Sequence, residues 1–199
     1  MKPASLQTRI FLDSGDPKET KSIMSLLGFL DGQTTNPTLV SKNPAAAAKV
    51  ASGEKFTEEE ILSFYKQVVQ DVSELVPEGS VSIEVYADKD TTAEQMQKQG
   101  REMNSWISNA HIKLPITEEG LKAATALTKE QVRVNMTLCF TQQQAAAVHV
   151  ATAGAGRGDV FVSPFIGRLD DRGENGMSLI SNILKMYEDI NGHVEVLTA

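Results

Sequence analysis

One lysine lies in a setting unlike that of almost every other lysine in the chain. Lys113 interrupts the apolar run at residues 110–116, which is typical of a short buried strand ended by a proline. Burying an ammonium group among hydrocarbon is costly, so such a lysine tends to lose its proton. A neutral amine in a dry pocket can attack a ketone. The alternative interpretation is a lysine whose stem is buried while its charged end reaches water.

Short apolar runs alternate with longer segments of helical periodicity along the chain. The predicted strands are residues 9–12, 28–34, 81–85, 110–116, 132–137, 159–163 and 194–197. The predicted helices are residues 18–27, 38–41, 57–75, 91–108, 117–127, 142–153 and 176–189, with helix and loop over 43–55 and a polar loop over 164–176. Such β-then-α units indicate a parallel sheet flanked by helices. A doubly wound sheet and a (β/α)8 barrel both fit, although no glycine-rich nucleotide loop follows strand one.

Six predicted strands end in side chains that can accept, donate or release a proton. These residues are Asp13, Thr34 to Asn36, Glu84, Lys113, Asn135 with Thr137, and Ser163 with Arg168. If the strands close a barrel, their carboxyl ends bring a carboxylate, an amine and hydrogen-bond donors to one mouth.

Simpler interpretations exist for some of these residues. Asn36 suits a turn before proline, Ser163 suits a loop start, and Arg168 can pair with a nearby aspartate. Glu84 is harder to explain in this way, because an isolated carboxylate in an apolar strand costs several kcal/mol unless it has partners.

The overall composition limits the classes of protein. With 41% hydrophobic and 23% charged residues, the 199-residue chain is predicted to form one domain over residues 1–199. A net charge of −7 and a pI near 5.0 argue against nucleic-acid and anionic-membrane partners. No run resembles a signal peptide or a membrane span, so we expect a cytoplasmic location.

The cysteine and the histidines suggest structural roles. A single cysteine excludes an intramolecular disulfide and a Cys-rich metal site, and we expect Cys139 to be buried and inert. We expect His111 to be structural. His149 and His193 offer no spacing typical of a metal site, and we predict none.

Five separate blocks resemble the signature blocks of the transaldolases. The blocks are residues 12–13, 34–39, 112–115, 135–140 and 162–168, in collinear order within residues 10–199. The chain is most similar to the short transaldolases and the fructose-6-phosphate aldolases. The resemblance implies an α/β fold, the (β/α)8 barrel, with an imine-forming lysine and no metal or organic cofactor.

The resemblance assigns the chemistry to four residues. Lys113 would attack the ketose carbonyl and form the Schiff base. Asp13 would take the proton from the C4 hydroxyl during cleavage and return it in the reverse step. Glu84 and Thr137 would hold a water that moves protons while the imine forms.

The resemblance also implies a substrate-binding set. Asn36, Asn135 and Ser163 would hydrogen-bond the dihydroxyacetone portion, and Thr35 belongs to the same set. Arg168 would bind the substrate phosphate, because a guanidinium's forked donors fit that anion.

Two positions separate the transferase from the lyase. The aldolases carry glutamine where Glu84 stands and tyrosine where Phe165 stands. A phenol helps water to release the three-carbon intermediate, whereas phenylalanine leaves the intermediate to wait for a second aldehyde. We therefore expect a transaldolase that moves dihydroxyacetone from fructose 6-phosphate or sedoheptulose 7-phosphate to erythrose 4-phosphate or glyceraldehyde 3-phosphate, in the pentose phosphate pathway.

The resemblance further implies a Ser-x-Arg stretch and an eighth strand, and the sequence stops at Ala199 before either. We expect a barrel that lacks strand eight, with an open edge and weak phosphate binding. The alternatives are a lyase that releases free dihydroxyacetone, or a catalytically silent truncated barrel that binds sugar phosphates or a partner chain. A homo-oligomer is left open.

Overall fold

The computed structural model describes residues 2–52 and 56–199. Within these ranges, the chain forms seven strands and nine helices, with at least one helix between successive strands. The strands are β1 (Phe11–Asp13), β2 (Gly32–Thr34), β3 (Ser80–Glu84), β4 (Ala110–Pro115), β5 (Val134–Cys139), β6 (Val160–Pro164) and β7 (Glu195–Val196). The helices are α1 (Pro17–Leu27), α2 (Pro37–Ser41), α3 (Pro44–Ala51), α4 (Glu58–Leu75), α5 (Ala93–Asn104), α6 (Glu118–Lys129), α7 (Gln142–Ala151), α8 (Ile166–Asp170) and α9 (Gly176–Asp189).

The predicted elements are present with bounds that differ by up to four residues, and two of the differences have identifiable reasons. β2 begins at Gly32 rather than at residue 28, because Gly28 ends α1 in the left-handed conformation, with φ of 77°. The predicted polar loop over residues 164–176 contains the short helix α8, which begins after Phe165 without a side-chain cap. Of the predicted helix and loop over 43–55, α3 is observed, and residues 53–55 lie outside the described residues.

The chain divides into two compact units. The first comprises Met1–Glu84 and Met103–Ala110. Its three strands are parallel and adjacent in chain order, with Asp13 in register with Thr34 and Thr34 in register with Ser82.

Helix α4 supplies much of the core of this first unit. A capping box formed by Thr57 and Glu60 begins the helix. Its buried stripe consists of Tyr65, Val68, Val69 and Val72. This spacing places one apolar face against the sheet and leaves the charged residues of α4 in solvent.

The second unit comprises Val85–Glu102 and His111–Ala199. Its strands β4 to β7 are also parallel and adjacent in chain order. The first turn of α6 approaches the end of β4 so closely that a Cβ at Gly120 would lie 1.9 Å from the Pro115 carbonyl oxygen. Only glycine fits there, and this contact fixes the end of the strand that carries Lys113.

Parallel strands that follow one another in chain order, each linked to the next by helix, are the arrangement of a (β/α)8 barrel through its seventh strand. The predicted α/β fold class is confirmed. No helix in the described ranges is both long and apolar enough to cross a membrane.

Candidate active site

The strands of the second unit present one apolar and one polar face. Side chains alternate along a strand, and residues paired in parallel register point to the same side. Ile112 and Leu114 therefore share one face with Val134 and Met136, and all four are fully buried. The opposite face carries Lys113, which is 6% exposed, and the residue paired with it, Asn135.

A buried hydrogen bond orders the polar face next to Lys113. The Ser163 hydroxyl donates to Asn135 Oδ1 at 2.7 Å, and both side chains are buried. Because Asn135 accepts at its oxygen, the bond fixes which way its amide points. The structure thus brings together Lys113, Asn135 and Ser163, three of the predicted site residues, on adjacent strands.

Thr137 ends this polar face with an unused hydroxyl. Its side chain is 1% exposed, and Oγ1 has no hydrogen-bond partner among the residues that the structure describes. Thr137 is in register with Pro115, two residues beyond Lys113. A buried polar oxygen without a partner costs about 1–3 kcal/mol, so its presence at this point favours a site for a water or a substrate group.

A β-bulge follows Thr137 directly. The register of β5 against β6 shifts between Met136 and Cys139, and Leu138 adopts φ of 62° with 42% of its side chain exposed. A leucine in the left-handed region is strained. Bulges are enriched next to active sites, where they redirect side chains.

The first unit presents a second set of polar strand ends. Asp13, Thr34 and Ser82 share one face by register, and Glu84 lies on the same face two residues beyond Ser82. The Thr34 hydroxyl donates to Asp13 Oδ1 at 2.7 Å. This bond holds the carboxylate of the predicted proton-transfer residue in one orientation.

Gln33 and Thr35 point to the opposite, helix-facing side of β2. The Gln33 amide donates to the Ser14 carbonyl and accepts from Thr20 of α1, at 2.8 and 2.7 Å. The Thr35 hydroxyl donates to the Ser82 carbonyl at 2.7 Å and lies 2.8 Å from the Tyr65 hydroxyl of α4. The structure therefore places Thr35, predicted to bind substrate, in fully buried contacts with α4 and β3.

Asn36 combines a structural bond with free donors. Its Oδ1 accepts from the Leu39 amide at 2.9 Å and caps α2. This is a structural role, like the turn before proline in the simpler interpretation. The Asn36 amide hydrogens have no partner within the described ranges, so the cap leaves them available to a substrate oxygen.

Phe165 and Arg168 follow β6. Phe165 packs edge-on against Phe140, with ring centroids 5.8 Å apart, which makes an apolar wall at this strand end. Arg168 is exposed and forms no ion pair with any described residue, while Arg172 nearby pairs with Glu174 at 3.0 Å. The alternative in which Arg168 pairs with a nearby aspartate is not observed.

Cys139 is buried, as expected, and His111 makes contacts that fit its expected structural role. His111 is 2% exposed, its Nε2 lies 2.9 Å from the Gly158 carbonyl oxygen, and its ring stacks on Phe161 at 4.4 Å. Burial raises the pKa of the Cys139 thiol to about 11, which keeps it protonated and unreactive.

Comparison with known proteins agrees with these features. Residues 10–199 match the family model described as transaldolase/fructose-6-phosphate aldolase. The chain is 42% identical over 191 residues to a probable transaldolase of Dehalococcoides mccartyi, covering 96% of this chain and 76% of that protein. The chain belongs to the transaldolase/fructose-6-phosphate aldolase family.

Two further relatives give the same picture of the family. A probable transaldolase of Leptospira biflexa is 40% identical over 192 residues, and one of Brucella ovis is 41% identical over 191 residues. Each alignment covers 96% of this chain and 75% of the relative. The family that the five sequence blocks resembled is confirmed.

The sequence reasoning missed three features of this family member. The sequence places Thr34 only at a polar strand end, because its bond to Asp13 depends on the register of β1 with β2. Tyr65 has the spacing of a core residue on an amphipathic helix, with no signal of its hydroxyl contacts. The bulge at Leu138 has no glycine or asparagine to indicate it.

Proposed function

We propose that this protein is a transaldolase that uses Lys113 to form a Schiff base with a ketose phosphate. The observation that carries the proposal is the polar face of β4 and β5, where the buried Lys113 lies beside Asn135 and near the unpartnered hydroxyl of Thr137. Family membership supports the same class of reaction. The donors are fructose 6-phosphate or sedoheptulose 7-phosphate, and the acceptors are erythrose 4-phosphate or glyceraldehyde 3-phosphate, as in the pentose phosphate pathway.

The reaction begins with imine formation. The amine of Lys113 attacks the C2 carbonyl, the C=O bond becomes C=N, and the carbonyl oxygen leaves as water after taking up two protons. Glu84 and a water bound at Thr137 move these protons. The open oxygen of Thr137 suits this role, since it can hold a water that no protein group competes for.

Cleavage and transfer then follow. Asp13 takes the proton of the C4 hydroxyl, the C3–C4 bond breaks, and the electron pair of that bond passes into the protonated imine. Thr34 keeps the Asp13 carboxylate oriented through their 2.7 Å bond. The aldehyde leaves, and the three-carbon enamine remains on Lys113 until an acceptor aldehyde forms the new C–C bond.

The residue at position 165 favours transfer over hydrolysis. Phe165 offers an apolar edge beside Phe140 and has no hydroxyl with which to activate water. Asn135 and Ser163 hold the three-carbon unit, and Arg168 holds the phosphate through charge-assisted bonds. Sugar phosphates are the proposed partners, and the cytoplasmic location stays a prediction.

Product analysis with and without an acceptor tests the proposed function. Fructose 6-phosphate with erythrose 4-phosphate should yield sedoheptulose 7-phosphate and glyceraldehyde 3-phosphate. Fructose 6-phosphate alone should yield little free dihydroxyacetone. Rapid release of dihydroxyacetone without acceptor would instead identify a lyase, and no turnover in either assay would contradict both.

A further inference from the structure

A directed chain of hydrogen bonds runs from the amide of Glu84 through Tyr65 and Thr35 to the carbonyl of Ser82. The three links measure 2.9, 2.8 and 2.7 Å. A carbonyl oxygen can only accept, so Thr35 donates its single hydroxyl proton to Ser82 and must accept from the Tyr65 hydroxyl. The phenol oxygen of Tyr65 in turn accepts the amide proton of Glu84.

Tyr65 is held rigidly at the centre of this chain. Its side chain is 3% exposed, and its ring meets Trp106 edge-on with centroids 6.1 Å apart. Burial raises the pKa of Tyr65 above its ordinary value, so the phenol stays protonated and continues to donate to Thr35 throughout the neutral range.

Tyr65 contacts β3 just beyond the point where the neighbouring strand β2 ends. The Thr35 amide makes a last strand-like bond to the Ser82 carbonyl at 3.1 Å, and the chain then turns into α2 at Asn36. The amide of Glu84, two residues further along β3, therefore meets the Tyr65 hydroxyl in place of a neighbouring strand.

We propose that Tyr65 is a positioning residue that fixes the backbone of Glu84 and thereby the placement of its carboxylate, the group that moves protons during imine formation in the proposed function. This inference rests on the proposed function, which gives Glu84 that task. A side chain that only tied α4 to the sheet would affect stability alone. A positioning residue also affects the step that Glu84 serves, because a misplaced catalytic group loses rate steeply with distance.

The test follows imine formation by rapid mixing with fructose 6-phosphate and quenching with borohydride at timed intervals. Tyr65→Phe should form the reduced Lys113 adduct about tenfold more slowly than the wild type, with a much smaller change in KM. The matched control is Tyr187→Phe, another buried tyrosine, whose hydroxyl donates to the Ala145 carbonyl at 2.7 Å. This control should lower the melting temperature and leave the imine rate unchanged.

A second variant covers the case in which Tyr65→Phe does not fold. Thr35→Val breaks the same chain at the next link and should slow imine formation in the same direction. In the double variant the two losses should not multiply, because both remove one shared chain of bonds. Independent, multiplying losses would overturn the inference.

The outcomes separate this inference from the proposed function. A wild-type protein that forms no adduct overturns the proposed function and this inference with it. A wild-type adduct, together with Tyr65→Phe or Thr35→Val rates equal to those of the wild type, overturns the inference alone. If Tyr187→Phe slows imine formation as much as Tyr65→Phe does, the slowing reflects lost stability, and the inference is also overturned.

Discussion

Hydroxyl groups at the strand ends of the first unit donate to protein acceptors, whereas at the strand ends of the second unit some hydrogen-bonding capacity stays open. In the first unit, Thr34 bonds Asp13, and Thr35 bonds Ser82 and Tyr65. In the second, neither Thr137 Oγ1 nor the Arg168 guanidinium has a partner among the described residues.

The difference suggests two kinds of contribution to one reaction. Bonds made in advance fix the direction of a catalytic carboxylate, so that little reorganisation is needed when charge develops. A buried hydroxyl without a partner, such as that of Thr137, destabilises the free protein, and this free energy is recovered when a bound ligand supplies the missing hydrogen bond. In this view Thr34 orients the Asp13 carboxylate within the first unit, whereas the open groups of the second unit are left for a ligand.

The largest effect should come from neutralising the oriented carboxylate of the first unit. Asp13→Asn keeps the shape and the Thr34 contact but removes the base, so kcat should fall by about 10²–10⁴-fold, the usual range for a lost general base. Asp16→Asn is the matched control, because Asp16 is a nearby carboxylate that only caps α1 by accepting from the Lys18 amide. Equal rates for the Asp13 and Asp16 variants would contradict the assigned role.

Removal of the Arg168 guanidinium, which has no partner among the described residues, should weaken substrate binding. Arg168→Ala should raise KM for fructose 6-phosphate by about tenfold or more and hardly change KM for fructose, because a charge-assisted bond is worth about 1.5–3 kcal/mol. Arg172→Ala is the control, since Arg172 pairs with Glu174. A similar loss for both sugars would show that Arg168 does not bind the phosphate.

Thr137→Val should separate stability from activity. Removing a buried oxygen that has no protein partner should leave the free energy of unfolding unchanged or raise it by about 1 kcal/mol, while imine formation slows about tenfold. Thr152→Val should lower the free energy of unfolding and leave the rate of imine formation unchanged. Thr152 is buried, and its hydroxyl bonds the Val148 carbonyl and His193. Denaturant titration of both variants measures the free energy of unfolding, and kinetic assays measure the loss of activity. A Thr137→Val variant less stable than the wild type would contradict a Thr137 hydroxyl without a protein partner.

The smallest effect concerns pH and belongs to the second unit, which holds all three histidines. Burial, and then the nearby His149 ring at 4.8 Å, lower the pKa of His193 below its ordinary value. The hydrogen bond with Thr152 and then the charge of Asp159 oppose this shift in the pKa. Between the two pKa values the unfolded chain binds more protons than the folded one, so the free energy of unfolding should decrease as pH falls below about 6.5.

His193→Gln should flatten this pH dependence. Urea unfolding at a series of pH values from neutral to mildly acidic measures the slope for the wild type and the variant. Identical slopes would mean that His193 titrates alike in the folded and unfolded chains, contrary to the burial that lowers its pKa in the folded chain.

The sequence predicted the strands and most of the candidate site because both depend on local patterns. An apolar run interrupted by one lysine indicates a buried strand, and period-two alternation places Lys113 opposite Ile112 and Leu114. The contacts that orient the site join residues distant in the chain. Tyr65 lies 30 residues from Thr35 and looks like any core position of α4.

Conformations without a local signal were also beyond sequence reasoning. Leucine is unfavourable at positive φ, so nothing at Leu138 indicates the bulge that follows Thr137. Helix α8 lacks a side-chain cap and is too short to show periodicity. His149 and His193 come together only because α7 and the segment before β7 pack within the second unit.

Borohydride trapping with fructose 6-phosphate, followed by mass mapping of the modified peptide, tests the central claim most directly. A three-carbon adduct is expected on Lys113 of the wild type and none on Lys113→Met, while Lys129→Met, a change at the end of α6, should be labelled like the wild type. An adduct on another lysine, or full turnover by Lys113→Met, would contradict the account.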